Sequence, residues 1–153
     1  MFLVKDDFES GFSAKTMKLL VRKSRLRGTV VIPASKSHTI RAVAIASLAA
    51  GESTIINPLV SNDTASAVNC YRALGAKIDT ADASAWQVRG TAGQVKPPQE
   101  PIDVGNSGTT LRIATGSAAL APAGRATILT GDEQVRSRPI EPLLEALNNL
   151  GAD

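Results

Sequence analysis

The chain has one cysteine, one histidine, one tryptophan and one tyrosine among 153 residues, and each scarcity removes a class of chemistry. A single thiol, Cys70, excludes an intramolecular disulfide and any cysteine-built metal cluster. It reads as a small residue at the edge of a helical core. His38 has no carboxylate or second ligand near it in the chain, so it reads as a local cap or surface residue. Aromatic residues make up 3% of the chain, too few for a base-stacking platform, and no nucleic-acid-binding motif is present. Nucleic acid is therefore not an expected partner. No apolar run is long enough to cross a membrane; the most apolar, 42–50, is short and Ala-rich and reads as a buried helix. The first residues carry Asp6, Asp7 and Glu9 and no apolar segment of a secretory signal, which makes the expected location cytoplasmic.

What remains is the composition of an ordinary globular protein, 43% hydrophobic and 20% charged. The net charge is +3, and much of the excess is local: Lys18, Arg22, Lys23, Arg25 and Arg27 fall in one short segment. Such a segment serves as a solvated strand or turn, or it attracts an anionic ligand.

The hydrophobic pattern alternates strand and helix. Residues 1–16 lack a clear period and read as a flexible extension, with the folded part starting at Met17. The β-branched run Thr29–Ile32 predicts a strand that Pro33 ends. A helix capped by Ser37 follows to about Ala50, stopped by Gly51, and apolar nearly all round. Ser53–Ile56 predicts a strand. A helix capped by Asn62 or Asp63 runs to Gly75, and Lys77–Thr80 with Trp86–Val88 predicts a hairpin that Trp86 packs.

The same order then restarts. Ile102–Val104 predicts a strand, Ser107 to about Leu120 a helix, and Thr127–Thr130 a strand. A last helix has Pro139 at its first position and an apolar stripe of Ile140, Leu143, Leu144, Leu147 and Leu150. Leu74-Gly75-Ala76 and Leu150-Gly151-Ala152 close the second helix of each unit, so the chain contains an internal repeat. The expected division is 1–16, a segment 17–33 of first strands, and a body 34–153 made of units 34–90 and 100–153. The second unit stops before its hairpin.

Three clusters carry chemistry, all where a strand hands over to a helix. In the first, Ser35-Lys36-Ser37-His38-Thr39-Ile40-Arg41, free helix N–H groups favour an anion. Lys36 adds a point charge, Ser37 a hydroxyl, and Arg41 a two-pronged donor one turn later. The P-loop spacing is absent. In the second, Gly105-Asn106-Ser107-Gly108-Thr109-Thr110-Leu111-Arg112, Gly108 allows a ligand to approach the backbone. In the third, Arg136-Ser137-Arg138-Pro139-Ile140, the proline holds Arg138 near an extended conformation and so aims its side chain. Each cluster alone also fits an ordinary capped helix start or a basic turn. Together they predict a shared anion-binding cleft, with Asn106, Arg112 and Asp63 as further candidates for its lining.

Pro33-Ala34-Ser35-Lys36-Ser37 with Arg41, Gly105-Asn106-Ser107-Gly108-Thr109 with Arg112, and Leu129-Thr130-Gly131 with Arg138-Pro139-Ile140 resemble, in order, three substrate motifs of the 5-enolpyruvylshikimate-3-phosphate synthases. The resemblance runs from Met17 to Asp153. It implies an α/β (α+β) enolpyruvyl transferase fold: a lobe of repeated βαβαββ units in an inside-out barrel, here incomplete, with 17–33 partly belonging to a second lobe. It also implies transfer of the enolpyruvyl group of phosphoenolpyruvate to the 5-hydroxyl of shikimate-3-phosphate, with no metal or organic cofactor, by a protein monomeric at full length. By resemblance Lys36 is catalytic and contacts both substrates, Ser37 and Arg41 hold shikimate-3-phosphate, and Gly108 and Arg138 hold phosphoenolpyruvate.

Later motifs of the family lie past Asp153, so the 153-residue chain alone is expected to be inactive, and its exposed edges predict poor solubility. Ser107, Thr110 and Ile113 depart from the best-known bacterial pattern. Gly108 leaves room for glyphosate, so the intact enzyme is expected to be sensitive. The sister transferase acting on UDP-N-acetylglucosamine shares the repeat but favours Lys-Asn where this chain has Lys36-Ser37. A non-catalytic anion-binding remnant is the other alternative.

Overall fold

The structure is a computed structural model and describes residues 20–23, 25 and 27–152. The chain divides into two units, Met1–Ile32 and Pro33–Asp153. The extension expected over 1–16 lies outside the described residues. Over Thr29–Ile32 no strand forms, and Val30, Val31 and Ile32 are exposed. A β-branched run has strand propensity, but a strand exists only when a neighbour takes up its backbone hydrogen bonds, and none of the described residues does so.

The second unit begins with α1 (Lys36–Leu48), β1 (Glu52–Ile56), α2 (Asn62–Ala73), β2 (Lys77–Asp79) and β3 (Ala85–Arg89). It continues with β4 (Ile102–Asp103), α3 (Gly108–Ala118), β5 (Leu129–Thr130), α4 (Glu133–Arg136) and α5 (Glu141–Asn149). β3 lies between β1 and β2 in an antiparallel sheet, with Ile55 opposite Trp86 and Ile78 opposite Val88. β4 and β5 form a parallel pair, Ile102 opposite Leu129. The helix α3 between them is the crossover that a parallel pair requires.

The core is one cluster where α1, α2 and α3 meet above the sheet, centred on Ile40, Val43, Val68, Tyr71, Leu74, Trp86, Val88, Val104 and Ala114. Each large apolar side chain so buried is worth about 1.5–3 kcal/mol. Cys70 is fully buried in this core rather than at its edge, because α2 packs on two sides. Helix α1 buries one face only: Ile45 stays exposed. Its last carbonyls are closed by a returning segment, in which Thr91 N–H donates to Ser47, Ala92 to Ala49 and Gly93 to Leu48 at 2.8–3.0 Å. Gly90 is required there, since a Cβ would sit 2.1 Å from the Ala49 carbonyl oxygen.

Several helix starts differ from expectation. Ser35, not Ser37, caps α1: its backbone is extended and its hydroxyl accepts from His38 N–H at 3.3 Å, while Ser37 is already helical. Ser61, not Asn62 or Asp63, caps α2 in a reciprocal box with Thr64. Glu133–Arg136 forms a short helix that the periodicity does not reveal, capped by Asp132. That turn uses up the residues before Pro139, so α5 starts at Glu141 with Pro142 in its first turn, where a missing N–H costs nothing.

The apolar stripe of α5 is not buried. Leu144 and Leu147 instead line an open depression of about 520 Å³ between the end of α3 and the 121–127 loop. No described helix is long and apolar enough to cross a membrane.

Candidate functional site

The first cluster is built on a strap. The hydroxyl of the buried Thr39 donates to the Ser35 carbonyl at 3.0 Å and accepts from Leu59 N–H at 2.9 Å. Thr64 donates to the Leu59 carbonyl at 2.8 Å. The loop before α2 is thereby held between the first turns of α1 and α2, which brings the two helix starts together. Across that junction Lys36 pairs with Asp63, so Asp63 is an ion-pair partner and not the cap. The Lys36 side chain is half exposed and thus reachable by a ligand. Arg41 donates to the Ser37 carbonyl at 3.0 Å, one turn back along the same face. The first helical N–H groups, those of Lys36 and Ser37, have no partner within the helix. Two cations and these N–H groups make α1's start suited to an anion.

The second and third clusters meet directly. The turn between β4 and α3 is held by Asp103, whose Oδ1 accepts from Gly105 N–H at 2.8 Å while Gly105 takes φ +57°. Ser107 caps α3, and its hydroxyl shares a 2.7 Å hydrogen bond with Thr110; both are buried. Two of the three departures from the familiar bacterial pattern, Ser107 and Thr110, therefore act as a pair, one hydroxyl satisfying the other. Arg138 lies against Gly108, with its Nη1 at 2.5 Å from where a Cβ would be. Arg112 donates to the Pro139 carbonyl at 2.7 Å, which anchors the segment carrying Arg138. Asn106 donates to Asp132 at 2.5 Å and to Gln134 at 3.1 Å.

Helix α2 bridges the clusters: Asp63 meets Lys36, and further along the helix Ser66 stands 3.4 Å from where a Gly105 Cβ would be. Thr39, Thr64, Ser61 and Asp132 hold this arrangement, and the sequence singles none of them out. Only the Ser-x-x-Thr spacing of Ser61 and Thr64 hinted at it, as a capping box in which Thr stands for the usual Glu or Gln. His38 is exposed. Among the described residues no three His, Cys, Asp or Glu side chains gather as a metal site. Burial pushes the Cys70 thiol up to about 12 and, despite the Ser117 hydrogen bond, the Tyr71 phenol to about 12. Both lie in the core, away from the clusters.

These features define a repeated α/β scaffold whose helix starts present cations and free N–H groups. Residues 21–153 match the family model of EPSP synthase (3-phosphoshikimate 1-carboxyvinyltransferase). The 3-phosphoshikimate 1-carboxyvinyltransferase of Acetivibrio thermocellus is 53% identical over 137 residues, 90% of this chain and 32% of that protein. Its counterpart in Methanothermobacter thermautotrophicus is 51% identical over 138 residues, again 90% of this chain and 32% of the relative. Among solved structures, EPSP synthase from Acinetobacter baumannii superposes with a TM-score of 0.72 at 25% identity, covering 82% of this chain and 28% of that one. The chain belongs to the EPSP synthase family, and it spans about a third of the length of the curated relatives it matches.

Proposed function

We propose that this chain supplies one wall of an active site that transfers the enolpyruvyl group of phosphoenolpyruvate to the 5-hydroxyl of shikimate-3-phosphate. The 5-hydroxyl oxygen loses its proton and attacks C2 of the enol as C3 takes up a proton. The tetrahedral intermediate then gives up a C3 proton and expels inorganic phosphate, which restores the double bond as the enolpyruvyl ether. The observation that carries the reading is the apposition of Gly108 and Arg138, which belong to two motifs 30 residues apart in the chain and form one anion-facing patch.

In this reading Gly108 and the Arg138 guanidinium hold phosphoenolpyruvate, Ser37 and Arg41 hold shikimate-3-phosphate, and Lys36 lies between the two anions. Asp63 keeps the Lys36 ammonium at the mouth of the cleft until substrate displaces it. Positive groups fixed in advance offset the crowding of two anions and favour the charge that builds at the intermediate. Arg112 lines the cleft beside them. The 153-residue stretch does not turn over alone, the reaction runs in the cytoplasm, and the full-length protein is monomeric. The Ser37 hydroxyl, where the UDP-amino-sugar transferases favour Asn, supports the shikimate substrate.

The test replaces the matching stretch of the Acetivibrio thermocellus relative with this chain and follows phosphate release. Release that needs both phosphoenolpyruvate and shikimate-3-phosphate, and that disappears in Lys36→Met, is expected. A folded chimaera that releases phosphate only with UDP-N-acetylglucosamine, or with neither acceptor, would sink the reading.

A further inference from the structure

The position of Arg138 against Gly108 is set by a clasp between two turns. On one side is the β4–α3 turn, Gly105 and Asn106. On the other is the β5–α4 turn, Gly131 and Asp132. Three contacts close it. Asp132 N–H donates to the Gly105 carbonyl at 3.0 Å. The Asn106 amide donates to Asp132 Oδ2 at 2.5 Å. Gly131 is buried so tightly that a Cβ there would sit 2.6 Å from the same Gly105 oxygen.

Asp132 uses its second oxygen differently. Oδ1 accepts from Val135 N–H at 2.9 Å and so starts α4. Arg138 N–H then donates to the Val135 carbonyl at 3.2 Å, so the backbone of Arg138 is fixed through that turn. One carboxylate therefore locks the turn that bears Gly108 to the helix that delivers Arg138. The Asn106 amide donates both to Asp132 and to Gln134, at 3.1 Å. Its N–H groups are committed to the clasp and are not offered to a ligand.

We propose that Asn106 and Asp132 are positioning residues that hold the Arg138 guanidinium in register with Gly108 for the phosphate end of phosphoenolpyruvate. The inference rests on the proposed function and replaces a cleft-lining role for Asn106. A hydrogen bond to a charged group fixes geometry more strongly than a neutral one, so its loss loosens Arg138 without unfolding the helix. Neither residue needs to touch substrate.

The experiment uses the same chimaera with Asn106→Asp, Asp132→Asn and the two together. In N106D two carboxylates face each other. In D132N the amide can cap α4 or accept from Asn106, but not both. The double variant restores the clasp with reversed polarity: the new amide at 132 caps α4 through its oxygen and donates to the carboxylate at 106. Gln134 turns its amide to donate as well. Each single variant is expected to raise KM for phosphoenolpyruvate about tenfold, the order expected for one charge-assisted hydrogen bond, with KM for shikimate-3-phosphate little changed. The double variant recovers most of that loss.

Singles that leave KM for phosphoenolpyruvate in place would overturn the proposal. So would a double variant as impaired as the worse single, or parallel rises in both KM values together with a lowered melting temperature. Calorimetric titration with phosphoenolpyruvate reads the same pattern as Kd without turnover. A folded chimaera that binds neither substrate defeats the proposed function itself. One that binds both while ignoring the single substitutions defeats only the clasp.

Discussion

Arg138 occupies the space where a side chain at position 108 would begin: a Cβ on Gly108 would sit 2.5 Å from Nη1 and 3.4 Å from Cζ. The atom in the way is the far end of a flexible side chain, so Gly108→Ala is relieved by moving the guanidinium and not the backbone. Stability should therefore change little while the site is disturbed. In the chimaera G108A is expected to raise KM for phosphoenolpyruvate and the glyphosate concentration for half-inhibition, with a melting temperature close to that of the parent. An unchanged response to glyphosate would count against Gly108 facing the phosphoenolpyruvate site.

Arg138→Lys tests a different property of the same contact. Lysine keeps the charge but loses the planar fork that grips two oxygens. KM for phosphoenolpyruvate should rise about tenfold or more, the scale of one charge-assisted hydrogen bond. A value within twofold of the parent would mean that charge alone suffices.

Tyr71 and Ser117 share a buried 2.7 Å hydrogen bond between α2 and α3. The Ser117 hydroxyl also donates to the Ile113 carbonyl at 3.1 Å, so Tyr71 is the donor of the pair. Ser117→Ala leaves the buried phenol unsatisfied, at a cost of about 1–3 kcal/mol, whereas Tyr71→Phe leaves Ser117 still bonded. Tyr71→Phe with Ser117→Ala should cost less than the sum of the singles, because the pair is removed together. Denaturant midpoints of the four proteins measure this.

Burial raises Cys70 from its ordinary 9.0 to about 12, and Tyr71 from 10.0 to about 12. Between those values the folded chain keeps protons that the unfolded chain has released. Stability is therefore full below about pH 9 and falls as pH rises toward 12. A thiol reagent at pH 8 should label the 153-residue chain only after denaturant is added, and unfolding midpoints should decline above pH 9. Rapid labelling under native conditions would contradict the burial of Cys70.

The order of elements from α1 to α5 apart from the short α4, the hairpin of the first unit, the turn glycines at 51, 75 and 151, and the three clusters are legible in the sequence. They rest on period, propensity and turn chemistry, which act between residues a few positions apart. The same local rules misplace details wherever two nearby residues compete for one role. Ser35 wins the α1 cap from Ser37, and Ser61 wins the α2 cap from Asp63, because the caps are chosen by the backbone angle at which the chain enters the helix. Asp63 is then free to pair with Lys36.

What only the tertiary structure decided is which distant residues meet. Gly108 and Arg138, Asn106 and Asp132, and Thr39 and Leu59 are brought together by packing of α1, α2 and α3 and by the parallel pairing of β4 with β5. The sequence alone determined which residues can bind an anion, since that depends on their chemistry. It could not determine that Thr29–Ile32 would find no strand partner among the described residues or that α5 would leave its leucines on an open depression. Propensity is a property of a segment, whereas pairing and burial depend on the surfaces that fold against it.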